Sequence, residues 1–199
     1  MRKIIIGSGN QHKIEEIKAF FAELDFDFEG LDPELELPDV IEDGKSYKEN
    51  ALKKARQRAK ELNEIVLADD SGLSVDYLDG APGIYSARFG GEDLNDRDKY
   101  LKILEILKGQ PESNRKAAFV SVIALVDPFK NIEITAEGRC EGLIAEEPAG
   151  ENGFGYDPIF YLPEYKKTMA QISQEEKNKI SHRGRALIKM KRKIKESYN

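Results

Sequence analysis

The chain opens with a short apolar run, Lys3–Ile6, that reads as a buried strand and runs into the turn Gly7–Asn10. From Gln11 to about Leu24 the apolar residues Ile14, Ile17, Phe20, Phe21 and Leu24 recur at helical spacing. Phe26–Leu31 then alternates apolar and polar residues, as a half-buried strand does. Asp32–Gly44 is acidic and holds Pro33 and Pro38, so it reads as a loop. Ser46–Leu62 is predicted to be a helix opened by a capping box, Ser46 to Glu49. Strand Ile65–Ala68 follows, then an acidic turn, then Leu73–Val75. Asp79–Gly91 is a glycine-punctuated loop. Asn95 or Asp96 caps a helix to about Lys108. Ala117–Val126 and Ile132–Cys140 form a hairpin across Asp127–Asn131, and Gly142–Ile144 continues a strand. Pro148–Pro158 is a glycine-rich loop. A second capping box, Ser173 to Glu176, opens a short helix to about Ile180, and Ser181 starts a last helix to about Glu196. Helices alternate with strands early and a hairpin sits late, so a mixed α/β sheet is expected rather than a purely parallel one.

Composition narrows the classes. The 199 residues suffice for one sizeable domain, and we expect a single domain over 1–199. Hydrophobic residues at 40% and charged residues at 34% suit a globular protein. The net charge of -6 argues against a general nucleic-acid sink, and an anionic substrate then needs a local basic pocket. The single cysteine, Cys140, excludes an intrachain disulfide. The first apolar run is too short for a signal peptide and no stretch is long enough to span a membrane, so a cytoplasmic protein without a membrane partner is expected.

The densest chemistry lies in Ile65–Gly72, where a buried run meets Asp69, Asp70 and Ser71. Ligand sites of open α/β sheets lie at the carboxyl ends of strands. Two buried carboxylates call for a cation, and Mg²⁺ takes one or two carboxylates plus phosphate oxygens. Successive strand residues face opposite sides of a sheet, so one aspartate is expected to face the metal and the other to anchor the turn or order the first. The first loop, Ser8-Gly9-Asn10-Gln11-His12-Lys13, puts an N-cap residue and a lysine at a helix start. A cation there opposes the helix dipole and makes sense where an anion docks. No G-x-x-x-x-G-K-[ST], G-x-G-x-x-G after the first strand, or G-x-S-x-G is present. The only histidines are His12 and His182, which excludes a His/Cys zinc cluster. Taken alone, Glu42 reads as a solvated loop charge and Lys54 as a surface lysine. Gly153-Phe-Gly-Tyr-Asp-Pro158 sets aromatics between glycines, either to stack a base or to pack the core. The basic run Lys189–Lys195 reads as a solvated helix face before a nucleic-acid patch.

Taken in order, Ser8-Gly-Asn-x-x-Lys13, Glu49-Asn-Ala-x-x-Lys54-Ala, Ala68-Asp-Asp-Ser-Gly-Leu73, Gly80-Ala-Pro-Gly-Ile-Tyr-Ser-Ala-Arg-Phe89, Gly153-Phe-Gly-Tyr-Asp-Pro-Ile-Phe160 and Ser181-His-Arg183 are far more specific than any one alone. Over nearly its whole length the chain resembles the non-canonical purine nucleoside triphosphate pyrophosphatases, also called inosine/xanthosine triphosphate pyrophosphatases. The resemblance implies Mg²⁺-dependent hydrolysis of ITP, dITP and XTP to the monophosphate and pyrophosphate. It also implies a homodimer and a mixed α/β fold of two lobes with the active site in the cleft.

Carried over by the resemblance, Ser8, Gly9, Asn10, Gln11, His12 and Lys13 bind the triphosphate. Glu42 and Asp70 hold the metal. Asp70 also accepts the proton of the attacking water, Asp69 supports it, and Lys54 offsets phosphate charge. Ser71 touches substrate. Phe154, Gly155, Tyr156 and Asp157 hold base and sugar, and Lys177, His182 and Arg183 complete recognition. The family often carries Glu-Thr-Gly where this chain has Glu42-Asp-Gly44, which puts Asp43 beside Glu42 as a second candidate ligand. Two other readings compete: a pyrophosphatase of similar architecture acting on pyrimidine triphosphates, and a nucleotide- or nucleic-acid-binding protein using Lys189–Lys195.

Overall fold

Three consecutive isoleucines, Ile4, Ile5 and Ile6, are all buried, which requires packing on both faces of their strand. The computed structural model describes residues 2–91 and 93–198, with the side chain of His12 outside the described set. The elements are β1 (Arg2–Ile6), α1 (Gln11–Phe21), β2 (Phe26–Gly30), α2 (Tyr47–Leu62), β3 (Ile65–Val75) and α3 (Asp96–Ile106). They continue with β4 (Lys116–Asp127), β5 (Ile132–Ile144), β6 (Phe160–Leu162), β7 (Lys167–Thr168), α4 (Gln174–Ile180) and α5 (His182–Tyr198). The strands hydrogen-bond in the order β2-β1-β3-β4-β5-β6-β7. β1 runs parallel to β2 and to β3, whereas β5–β6 and β6–β7 are antiparallel, so the sheet is mixed as expected.

The chain divides into two compact units. The first comprises Met1–Asp70, Ser121–Glu137 and Ala186–Asn199. On one face of its strands Ile4, Ile6, Leu67, Ile123 and Leu125 pack with Ile17 and Phe21 of α1 and with Leu187, Met190 and Ile194 of α5. On the other face Ile5, Val66, Ala68, Val122 and Ala124 pack with Ala51, Ala55 and Ala59 of α2. That alanine row, four residues apart, lets α2 approach the strands closely, and each large aliphatic side chain sealed here contributes about 1.5–3 kcal/mol.

The second unit comprises Ser71–Val120 and Gly138–Arg185. Its core gathers Leu73, Ile103, Phe119, Tyr156, Phe160 and Met169. The buried Arg115 guanidinium donates to the carbonyls of Leu107, Ile144 and Ala145 at 2.8, 2.7 and 2.5 Å. A Cβ on Gly72 would lie 2.4 Å from both Gly83 O and Ser86 Oγ, so only glycine lets these segments meet.

The caps fall where the sequence places them. Asn10, Ser46, Asn95 and Ser173 each accept a hydrogen bond from the backbone N–H three residues on. At Ser46 the expected box is half-formed, because Glu49 Oε2 reaches past the cap to Lys45 N at 2.7 Å. The main correction concerns Asp69–Gly72, which is not a turn: β3 runs unbroken from Ile65 to Val75. The helix expected to reach Leu24 ends at Phe21; Leu24 donates to Phe21 O and stays buried, so the apolar phase outlasts the helix.

Candidate functional site

Within the first unit, β3 alternation decides what each aspartate meets. Asp69 continues the face that carries Leu67, and Asp70 continues the face that carries Ala68. The α1 face therefore brings Lys13 Nζ to Asp69, at 3.2 Å from Oδ1 and 3.0 Å from Oδ2. The α2 face brings Lys54 Nζ to within 3.6 Å of Asp70 Oδ1, and the same ammonium lies 3.2 Å from Glu42 Oε1. Asp43 points elsewhere, to Lys53 Nζ at 2.5 Å, on an exposed side chain. So the two aspartates have separate partners, and Glu42 joins the group that Asp70 belongs to.

Burial raises the Asp70 pKa above the ordinary carboxylate range; Lys54 opposes this, and Glu42 adds to it. A carboxylate that binds its proton more readily is a better proton acceptor. Among the described residues no three His, Cys, Asp or Glu side chains converge, but Glu42 and Asp70 already share one cationic group. Two carboxylates are the number a Mg²⁺ ion uses when phosphate oxygens complete its shell, so the donor set fits.

The loop ahead of α1 is built for exposure. Asn10 Oδ1 accepts from Lys13 N at 3.2 Å, and Ser8 Oγ accepts from Asn10 N at 3.2 Å. Gly9 has no atom within 4 Å of where a Cβ would stand. Gln11 leans along the helix to Glu15 Oε1, 3.1 Å away. The His12 side chain lies outside the described residues.

The second unit holds the aromatic candidates. Gly153 is left-handed with φ +77°, and a Cβ there would stand 2.0 Å from Asp157 Oδ2. That same oxygen accepts from Phe154 N at 2.9 Å and meets Lys177 Nζ at 2.5 Å. Asp157 and Lys177 are 2% and 4% exposed, so this pair is a sealed internal strut for the loop. Burial pushes the Asp157 carboxyl up, against the Lys177 ammonium that holds it down. Tyr156 turns into the core, where its hydroxyl donates to Ser86 O at 2.8 Å and burial pushes its pKa up. Gly155 N donates to Asp96 Oδ2 at 2.9 Å. Phe154 remains half-buried, with Lys177 Nζ 4.9 Å and Arg183 Cζ 5.4 Å from its ring centre.

The α4–α5 junction supplies the remaining groups. A Cβ on Gly184 would fall 1.9 Å from Asn178 O, so the two helices meet with no room for a side chain. This junction buries His182, stacked on Phe119 at 4.7 Å, and Arg183, whose Nη2 lies 3.4 Å from Ser71 Oγ. Sequence reasoning missed Asn50, Asp96, Ser86 and Phe119 as parts of these groups. Only Asn50 carried a usable signal, because it lies four residues before Lys54 and so shares its helix face.

The Ham1 family model matches residues 4–193. A dITP/XTP pyrophosphatase of Clostridium perfringens is 49% identical over 201 residues, covering 98% of each chain. One from Bacillus cereus is 45% identical over 197 residues, covering 98% of this chain and 96% of its own. Among solved structures, the Staphylococcus aureus Ham1 protein superposes with a TM-score of 0.89 at 42% identity, covering 98% of this chain and 100% of that one. A HAM1 protein from Coxiella burnetii gives a TM-score of 0.90 at 41% identity with the same coverage.

Proposed function

This chain belongs to the Ham1 family, and from that premise we propose that it hydrolyses ITP, dITP and XTP to the monophosphate and pyrophosphate, clearing them from the nucleotide pool. The observation that carries the reading is the Glu42–Lys54–Asp70 group beside the Lys13–Asp69 pair. In this reading Glu42 and Asp70 would hold Mg²⁺, and Glu42 is preferred to Asp43 because it shares the Lys54 ammonium with Asp70, whereas Asp43 meets Lys53. Bound Mg²⁺ supplies charge neutralisation at phosphate oxygens and lowers the pKa of bound water.

The chain's own groups do the rest. Asp70 takes the proton of the water that attacks the α-phosphorus in line. Asp69 fixes Lys13. Lys13 and Lys54 offset charge on the leaving pyrophosphate, and the Ser8–Lys13 loop offers backbone N–H groups at a helix start. In the second unit, Phe154 stacks the base, and the Asp157–Lys177 strut fixes the loop that carries it. Arg183 and His182 donate to the 6-oxo group that hypoxanthine and xanthine carry and adenine lacks; donors left unpaired by adenine can discriminate by about 10⁴–10⁵. Guanine shares that oxygen and must be refused at its 2-amino group.

We also propose a homodimer that works in the cytoplasm; no helix among the described residues is long and apolar enough to cross a membrane. The nucleic-acid reading is disfavoured because Lys189 and Lys193 Nζ each donate to a β5 carbonyl, of Glu137 and Thr135, at 2.8 Å. The test is incubation with Mg²⁺ and, separately, ITP, XTP, GTP, ATP and UTP, with product identification. Monophosphate and pyrophosphate from ITP and XTP, with little from the others, is the expected result. Turnover of UTP in their place would revive the pyrimidine reading, and orthophosphate as product would remove the α-phosphorus mechanism.

A further inference from the structure

One residue ties together the two carboxylates assigned to the metal, and it stands on neither of their segments. Asn50 lies in the first turns of α2 and is fully buried. Its Oδ1 accepts from Gly44 N at 2.8 Å, two residues beyond Glu42. The approach is so close that a Cβ on Gly44 would stand 2.5 Å from that oxygen. Asn50 therefore pins the turn immediately behind Glu42.

The other half of its amide concerns Asp70. Asn50 Nδ2 and Asp70 Oδ2 are both buried, and neither has a hydrogen-bond partner among the described residues. The amide is nevertheless near enough to Asp70 to favour its ionised form. A buried donor beside a buried acceptor, each unsatisfied, is a bond left open. Meanwhile Asp70 Oδ1 is the oxygen that faces Lys54 and, through it, Glu42. The carboxylate thus has one oxygen, Oδ1, in the charged group and a second, Oδ2, buried with no hydrogen-bond partner among the described residues.

We infer that Asn50 is a positioning residue: its Oδ1 fixes the Glu42 turn and its Nδ2 donates to the second oxygen of Asp70, so that both carboxylates present one oxygen each to the same cation. The inference rests on the proposed metal-dependent activity and adds a residue to it. It follows the general behaviour of metal sites, in which groups that orient the ligands change affinity or activity by about 10–100-fold.

The test compares wild type, Asn50→Ala and Gly44→Ala. Mn²⁺ binding to nucleotide-free protein is measured by the free-ion electron paramagnetic resonance signal. Steady-state hydrolysis of ITP and the thermal midpoint are measured alongside. Asn50→Ala is expected to weaken Mn²⁺ binding and lower kcat by about 10–100-fold each, with KM for ITP within about twofold. Gly44→Ala, which pushes on the same amide, is expected to reproduce the effect. On wild-type protein, the Asn50 side-chain amide resonance is expected to move on Mg²⁺ addition, a readout independent of how any variant folds.

Unchanged Mn²⁺ affinity and kcat in Asn50→Ala would overturn the inference. So would a loss of activity that follows only the thermal midpoint while Mn²⁺ affinity stays intact, or an amide resonance that ignores Mg²⁺. If wild type hydrolyses no nucleotide yet Asn50→Ala still weakens Mn²⁺ binding, the positioning role stands and the proposed activity falls.

Discussion

Both units set aspartates against lysines, and the two arrangements are built in opposite ways. In the first unit three carboxylates, Glu42, Asp69 and Asp70, meet two lysines. The Lys13 and Lys54 side chains there keep 19% and 15% of their surface and Glu42 keeps 34%, so the group opens through its lysines and Glu42, while Asp69 and Asp70 keep only 2% and 8%. In the second unit the Lys177 and Asp157 side chains keep 5% and 3%. An open group of charges can exchange partners when a cation or a phosphate arrives. A sealed pair cannot, because breaking it leaves a bare charge in a poor solvent. The first arrangement therefore suits chemistry, and the second suits holding the Phe154 loop in one shape.

The sharpest way to break this contrast is to neutralise one carboxylate of the open group. Asp70→Asn keeps the size of the side chain and removes its capacity to take a proton. Turnover of ITP is expected to fall by about 10²–10⁴-fold, with a modest change in KM and in thermal midpoint. Near-normal turnover would take the proton acceptor away from Asp70 and with it the functional meaning given to the open group.

The same logic applied to the sealed pair predicts a different symptom. Lys177→Met leaves the Asp157 carboxylate buried without its ammonium, at a cost of about 3–5 kcal/mol in stability. Burial already pushes Asp157 up, and losing Lys177 pushes it further. A folded-state pKa above the unfolded value means that the folded protein holds the extra proton in that interval. The variant's stability is therefore expected to fall as pH rises past the ordinary carboxylate range, more steeply than in wild type. Denaturant titrations across that range check it; a variant as stable as wild type at all pH values would show that the pair is not a strut.

Arg183 tests whether the second unit also selects the base. It is 2% exposed, close to the Phe154 ring, and so already held in place before any ligand binds. Arg183→Ala is expected to cut the preference for ITP over ATP by about 10–100-fold, the value of one or two bonds to a charged donor. An unchanged ratio of kcat/KM values would leave selectivity to His182 or to backbone groups.

What was legible in the sequence follows the range of the forces involved. Helix caps at Asn10, Ser46, Asn95 and Ser173 are local bonds over three residues, and the sequence places three of them and narrows the other to Asn95 or Asp96. Asp69 and Asp70 read as a turn because two adjacent acids look incompatible with a buried strand. What makes the strand possible is Lys13, 56 positions away from Asp69, and Lys54 on another helix, and no local pattern displays that pairing. The rule that adjacent strand residues face opposite sides accounts for their meeting different lysines. β6 and β7, with three and two residues, are too short to show any period. Tyr156 and Asp157 look like ligand contacts in a glycine-rich loop, yet their visible partners are Ser86 O and Lys177, which only the fold brings to them.

The basic face of α5 supplies the mildest test, because two of its lysines, Lys189 and Lys193, meet backbone carbonyls. Lys189 and Lys193 are four residues apart, a rise of about 6 Å along a helix. Glu137 and Thr135 are two residues apart on β5, about 6.6 Å along a strand. The two spacings match, so each ammonium finds a backbone carbonyl at 2.8 Å and part of β5 gains donors outside the sheet. Bonds of this kind contribute about 0.5–1.5 kcal/mol each, and less where the lysine is exposed, as Lys189 is. Replacing both lysines by alanine is therefore expected to lower stability by about 1–2 kcal/mol with ITP turnover unchanged. Retention on a DNA column at low salt is expected to be negligible before and after, given the net charge of -6. Salt-dependent retention that vanishes in the double variant, with stability untouched, would show that this face is a nucleic-acid surface rather than a clasp on β5.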